Sequence, residues 1–140
     1  MTATQLQINQ LRRMIAESTS ETYTDTMLAA YIAARPLMDD RGQDPYCWDD
    51  STTPPSQAAN DNWIPTYDLN ATAADLWEEK AAAVAAEFDF HADGGIYSRS
   101  QKYEQYMNRA RYYRSRAAAG TIRLIMHPLL ENPLGSDLHN

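Results

Sequence analysis

The densest group of chemically capable side chains is the basic segment RARYYRSR at residues 109–116. Two adjacent tyrosines stand among four arginines there, a pattern that can bind phosphates and stack on bases. The four arginines are Arg109, Arg111, Arg114 and Arg116. One interpretation is a small helical nucleic-acid-binding regulatory module. The other is that these arginines pair with acidic residues of the same chain or of a neighbouring subunit.

The segment DFHADGGIYSRS at residues 89–100 has the length of a calcium-binding loop. Asp89 and Asp93 stand at ligand positions of such a loop. However, His91 replaces one oxygen ligand, and Ser100 replaces the glutamate that should close the coordination shell. Without those two carboxylates a hard cation is bound weakly. We therefore interpret the segment, with its adjacent glycines, as a turn between two helices.

The remaining candidates for chemistry are scattered. His91, His127 and His139 lack the spacing of a zinc site. Cys47 is the single cysteine, and its acidic neighbours disfavour the thiolate that a nucleophile needs. We expect no catalytic site, no cofactor and no metal.

Apolar periodicity predicts four helices, at residues 3–17, 24–35, 68–90 and 98–119. Thr24 is the predicted N-cap of the second helix, and Pro36 ends that helix. Ser98, three residues before Gln101, is the predicted N-cap of the fourth.

The third and fourth helices are expected to fold back on each other as an antiparallel hairpin. Their apolar stripes form the predicted hairpin core, which consists of Trp77, Val84, Phe88, Tyr103, Met107 and Tyr113. In the register that aligns the stripes, Trp77 lies opposite Tyr113. The third helix is acidic and the fourth is basic, and the same register pairs Asp75 with Arg114 and Glu79 with Arg111.

Between the second and third helices, residues 39–62 form a long acidic loop with no apolar period. The aromatics in and next to it are Tyr46, Trp48, Trp63 and Tyr67. A disordered linker normally carries fewer, so we expect a partly ordered loop that lies on its own helices or on a neighbouring subunit. The predicted fold class is all-α, a small bundle of about four helices centred on the helical hairpin.

Residues 121–140 are expected to be an extended C-terminal tail outside the helical domain of residues 1–120. The tail is broken by Pro128 and Pro133 and is too short to make its own core. It nevertheless carries seven large apolar residues, which are Ile122, Leu124, Ile125, Met126, Leu129, Leu130 and Leu134. Such a segment needs a partner surface, on this domain or on another chain.

Composition limits the function classes. The chain has 140 residues and a formal net charge of −7. That charge argues against tight wrapping of nucleic acid, although it suits a surface past which DNA slides. No apolar run approaches about 18 residues and no basic-then-apolar segment opens the chain, so neither membrane spanning nor secretion is expected.

Two stretches of the sequence resemble a known family. TYTDTMLAAYIAARPL and YDLNATAADLWEEKAAAVAAEFDFHADGGIYSRSQKYEQYMNRARYYRSR are similar to the head-to-tail connector (adaptor) proteins of tailed double-stranded DNA bacteriophages. The resemblance covers residues 8–38 and 66–118, and WEEKAAA followed by SRSQKYEQ is its more specific part. Relative to that family, the acidic stretch 39–62 looks like an insertion.

The resemblance implies an all-helical, non-enzymatic virion protein, made in the host cytoplasm and placed at the head–tail junction. It implies a ring of about twelve copies below the portal that joins capsid to tail. The implied partners are the portal protein, neighbouring adaptor subunits, the next tail component (a stopper, terminator or tail tube), and genome DNA that passes without sequence-specific binding. In such proteins the C-terminal segment commonly reaches the portal, so the seven apolar tail residues are the expected portal-binding residues.

Overall fold

The computed structural model describes residues 2–88 and 96–118, and this part of the chain is mostly helical. In chain order its elements are α1 (Gln5–Met14), α2 (Asp25–Ala33), β1 (Tyr46–Asp49), β2 (Ser56–Ala59), α3 (Leu69–Phe88) and α4 (Ile96–Arg116). The four predicted helices are present, with ends that differ by a few residues.

Side-chain caps explain where three of the helices begin. Thr4 and Gln7 form a reciprocal capping box at α1, in which each side chain bonds the other's backbone N–H. Thr24 accepts a hydrogen bond from the N–H of Met27 and starts α2, as predicted. Asp68 accepts one from the N–H of Ala71 at the start of α3. The predicted cap Ser98 is wrong, because α4 begins earlier, at Ile96, and a helix interior tolerates serine at little cost.

The main hydrophobic core lies between α1, α2 and the first half of α3. Its buried members are Ile8, Leu11, Ile15, Tyr23, Leu28, Ile32, Trp63, Tyr67, Ala73 and Leu76. Tyr113 of α4 packs against the edge of this cluster. The core is therefore centred on the N-terminal helices, and α4 joins it from one side.

Helix α3 is buried on more than one side. Ala73 and Leu76 face the main core, whereas Ala81 and Val84 are buried farther along the helix. The described parts of α3 and α4 pack along each other, and Ala110 of α4 is almost fully buried. A helix that is apolar around most of its circumference can be covered from two directions at once.

The expectation of an all-α fold is wrong in one region. Within residues 39–62, β1 and β2 form a two-stranded antiparallel sheet in which Tyr46 pairs with Ala59 and Asp49 with Ser56. Each strand has only four residues, too few for an alternating pattern to stand out in the sequence. The second strand, SQAA, also lacks the β-branched and aromatic residues typical of strands.

The carboxylate of Asp39 holds the base of this hairpin. Its place in an acidic loop suggests a solvated side chain, but Asp39 is buried. Its oxygens accept hydrogen bonds from the backbone N–H groups of Arg41, Gln43 and Ile64, each at 2.9 Å. One side chain thus joins the chain before the hairpin to the chain after it. Gly42, with φ of 79°, makes the tight turn that brings these donors to the carboxylate.

These bonds stabilise the ionised carboxylate and lower the pKa of Asp39, chiefly through the N–H of Ile64 and then through those of Gln43 and Arg41. A carboxyl group with a lowered folded-state pKa stabilises the fold above its unfolded pKa. That stabilisation is lost as the pH falls through the folded-state pKa.

We predict that Asp39→Asn lowers the thermal unfolding midpoint at pH 7 and flattens its decline in acid. The amide has one acceptor oxygen and no charge, so it cannot satisfy three backbone donors. Unfolding followed by circular dichroism from pH 3 to pH 7 measures both effects. Asp40→Asn changes the exposed neighbour and is the matched control. Equal behaviour of the two variants would contradict the anchoring role of Asp39.

Candidate interaction interface

Helix α4 presents the four sequence-predicted arginines, and within the described residues one of them pairs with carboxylates and three do not. Arg114 is the paired one, with Nη2 lying 2.9 Å from both Asp75 Oδ1 and Glu78 Oε1 on α3. Hydrogen bonds to these two carboxylates raise the pKa of Arg114, and the bond to Glu78 has the larger effect. Arg35 also bonds Asp75, at 2.8 Å. The charge of Arg114 is therefore largely neutralised within the subunit.

The other three arginines contact aromatic rings or an amide. Arg109 lies 5.9 Å from the ring centre of Trp77, and Arg116 lies 4.6 Å from that of Tyr112. Arg111 donates to the side-chain oxygen of Asn108 at 3.0 Å. All three are exposed, and within the described residues none of them pairs with a carboxylate. Their positive charge faces outward, where stacking on the rings orients two of the guanidinium groups.

A groove of about 500 Å³ lies along α4 and includes Arg109 in its lining. It is lined by Gln105, Asn108, Arg109, Tyr112 and Tyr113. We call this surface the α4 groove. Tyr112, one of the lining residues, is 49% exposed although its side chain is large and aromatic. Guanidinium, amide and phenol groups together suit a partner that brings carboxylates or phosphates along with a flat ring.

The predicted ion pairs between α3 and α4 have mixed outcomes. The pair of Asp75 with Arg114 is confirmed. The pair of Glu79 with Arg111 is wrong, because Glu79 points toward α2 and accepts hydrogen bonds from Tyr31 and Tyr23. Burial and then Glu79 raise the pKa of Tyr23 to about 12. The hydrogen bond to Glu79 is the main cause of the raised pKa of Tyr31.

The six residues of the predicted hairpin core lie in different environments. Trp77 and Val84 are buried, and Tyr103, Met107 and Tyr113 are half-buried. The side chain of Phe88 lies outside the described part of the structure.

Trp77 has a different ring partner from the one predicted. Its ring packs against Tyr106, with centroids 5.2 Å apart, and not against Tyr113. Its indole N–H donates to the carbonyl of Met14 at 3.1 Å, which fixes the ring toward the end of α1 and explains the change of partner.

A second exposed surface is the one formed by β1, β2 and the residues around them, 44–61, which we call the aromatic hairpin. Trp48 is 64% exposed and Tyr46 is 51% exposed. They are two residues apart on one strand, so they project from the same face of the sheet. Asp50 and Asp61 are exposed on the same segment. Sequence reasoning found these aromatics but assigned them to an irregular loop, because the strands are so short.

Several sequence-predicted sites lie outside the described residues. They are most of the calcium-like segment 89–100, the three histidines and the tail at 121–140 with its seven apolar residues. Among the residues that are described, no cluster of three metal-ligating side chains occurs. No helix of that same part is both long enough and apolar enough to cross a bilayer.

Comparison with known proteins adds no information on these candidate surfaces. No protein-family model, curated protein or solved structure matches this chain.

We predict that Arg114→Gln lowers the free energy of unfolding by about 1 kcal/mol at low salt, because it removes two partly exposed ion pairs. The loss should shrink at high salt, where such pairs are screened. Urea unfolding at two salt concentrations measures it. Arg111→Gln removes the same charge from the same helix where no carboxylate is bound, and it is the matched control. An equal loss in both variants would mean that the two pairs add nothing.

Proposed function

We propose that this protein is a structural subunit, a head-to-tail adaptor that forms a ring below the portal of a tailed bacteriophage. The observation that carries the proposal is the exposure of large apolar side chains on three separate elements. Leu6 of α1 is 73% exposed, Trp48 of β1 is 64% exposed and Tyr112 of α4 is 49% exposed. Apolar surface left open on several elements suits a subunit with neighbours on more than one side.

The helical pair at the centre of the proposal is supported by contacts that run in opposite order along α3 and α4. Asp68, at the start of α3, accepts a hydrogen bond from the N–H of Ala118, just beyond α4. Asp75, farther along α3, pairs with Arg114, which lies earlier in the chain than Ala118. We propose that these two helices form the antiparallel hairpin that gives the subunit its rigidity. A stiff subunit can transmit load between two neighbours without changing shape.

The proposed partners follow from the resemblance stated above. They are the portal protein, other copies in a ring of about twelve, the next tail component and the genome DNA that passes through the ring. The tail at 121–140 is the proposed portal-binding segment, because its seven apolar residues require a partner surface. The proposed location is the head–tail junction of the virion.

The alternative function, a nucleic-acid-binding regulatory module, is favoured by one observation. Arg109, Arg111 and Arg116 face outward beside Tyr112, as a phosphate-binding and base-stacking surface would require. The pairing of Arg114 with two carboxylates reduces this surface from four arginines to three. The net charge of −7 further weakens the attraction of the whole molecule to DNA.

We predict that deletion of residues 121–140 abolishes attachment to tail-less particles that carry the portal. Cosedimentation with such particles measures attachment, and circular dichroism measures helicity, which should persist because the four helices of the described residues precede the deletion. The control is Glu131→Gln with Asp137→Asn, which changes charged tail residues and keeps the apolar ones. Electron micrographs of the decorated particles should show a ring at the portal. Undiminished attachment of the truncated protein would contradict the tail assignment.

We also predict that the protein binds duplex DNA weakly and with a shallow dependence on salt. Fluorescence anisotropy over a salt series measures this. Tight binding with a steep salt slope, lost when Arg109, Arg111 and Arg116 are all changed to glutamine, would instead support the regulatory module. The same three changes are not expected to remove particle attachment through the tail.

A further inference from the structure

Two aspartates of the aromatic hairpin, Asp50 and Asp61, carry negative charge that is not neutralised within the described structure. Residues 39–62 contain six aspartates and one arginine. That arginine, Arg41, is bound to Asp39 and to the backbone carbonyl of Asn62. Asp50 and Asp61 are exposed and form no ion pair with any described residue. The hairpin therefore presents carboxylates next to Tyr46 and Trp48.

The hairpin is also separated from the basic helix of its own chain. Within the described residues, β1 and β2 contact each other but neither strand contacts α4. The base of the hairpin approaches the helical body, where Tyr46 and Ala59 line a small pocket with Trp63 and Tyr67. The opposite charges of hairpin and α4 are thus not brought together in one subunit.

The α4 groove has the complementary properties. Arg109 lines the groove. Arg111 and Arg116 belong to the same helix, are exposed, and have no carboxylate partner in the described structure. The sequence of α4 holds six basic residues and one acidic residue, the reverse of the balance in 39–62. The groove also offers amide groups and the exposed phenol ring of Tyr112 beside its arginine.

We infer that the aromatic hairpin of one copy docks into the α4 groove of a second copy of this chain. Trp48 enters the groove beside Tyr112 and Arg109, and the aspartates of the hairpin face the outward arginines. A buried indole ring contributes about 150–250 Å² of contact, and stacking of a guanidinium on it adds to the attraction. The inference rests on the proposed function only in taking the neighbouring adaptor subunit as the partner.

The contact is heterologous, because it joins one surface to a different surface. Each copy still has a free hairpin at one end of the pair and a free groove at the other, so copies add in series until the arrangement closes into a ring. Charge complementarity sets which surfaces meet and in what orientation. The inserted stretch 39–62 thereby becomes the element that links subunits.

Two reversed-charge variants test this pairing by sedimentation velocity. The hairpin variant is Asp50→Lys with Asp61→Lys, and Asp49 is kept because its carboxylate holds the turn through Ser51. The groove variant is Arg111→Glu with Arg116→Glu, and Arg109 is kept because it packs on Trp77. All the changed side chains are exposed, and circular dichroism verifies that each variant is folded.

The expected result is that wild-type protein associates as its concentration rises, whereas each variant alone stays monomeric because like charges then meet. An equimolar mixture of the two should associate within about tenfold of wild type, since reversed hairpin and reversed groove attract again. Trp48→Ala should weaken association by at least about tenfold. Glu21→Lys reverses one exposed charge in the turn between α1 and α2, and unlike Asp50→Lys it should leave association unchanged.

Three outcomes would overturn the inference. The first is wild-type protein that remains monomeric up to about 1 mM, the weak end of the affinity scale. The second is a hairpin variant that associates like wild type. The third is a mixture of folded variants that stays monomeric. Particle attachment measured on the same variants separates the two proposals. If the protein attaches to particles but does not self-associate, the hairpin contact is contradicted and the adaptor function is not.

Discussion

Burial of α3 from two directions is the constraint on which the rest of the described structure depends. This helix contacts α1, α2 and α4, and small residues such as Ala73, Ala74 and Ala81 let its neighbours approach closely. Asp68 fixes its start, because one carboxylate oxygen caps α3 and the other accepts the N–H of Ala118 beyond α4. The other helices take positions in which they cover the apolar sides of α3.

The electrostatic pattern follows from that placement. Acids on α3 that face a neighbour are used internally. Asp75 binds Arg35 and Arg114, and Glu79 accepts hydrogen bonds from Tyr31 of α2 and from Tyr23 just before that helix. The charges outside these pairs include Asp50 and Asp61 on the hairpin, whose strands do not contact α4 among the described residues, and the exposed guanidinium groups of α4. In the contact proposed between copies, this division of charge determines which surfaces meet, although the net charge of the chain is negative.

The sequence indicated the helices well because their period is long and their caps are local. Thr24 starts a helix through an oxygen and an N–H three residues apart, and such a bond can be inferred without knowing the fold. The pair of Asp75 with Arg114 could also be predicted, because the stripes of two long helices fix an approximate register.

The features that sequence reasoning missed depend on contacts between distant segments. Asp39 resembles any aspartate of an acidic loop until Ile64, 25 residues later, brings its N–H to the carboxylate. Glu79 faces α2 rather than α4, a choice set by how α3 rotates between two sets of neighbours. Trp77 turns toward Tyr106 because Met14, on another helix, accepts its indole proton. In each case a residue far along the chain determines the orientation of the side chain, and local sequence spacing does not identify that residue.

The anchoring of the hairpin at its base has a consequence for evolution and for protein engineering. Asp39 and Asn60 tie down both ends of the segment, while residues 50–57, which include the turn between β1 and β2, are all exposed. Mutations at the turn therefore meet little resistance from folding, and the binding preference that we propose for the hairpin can change while the helical body stays the same. The turn is accordingly a natural place to graft a peptide tag or a foreign recognition loop.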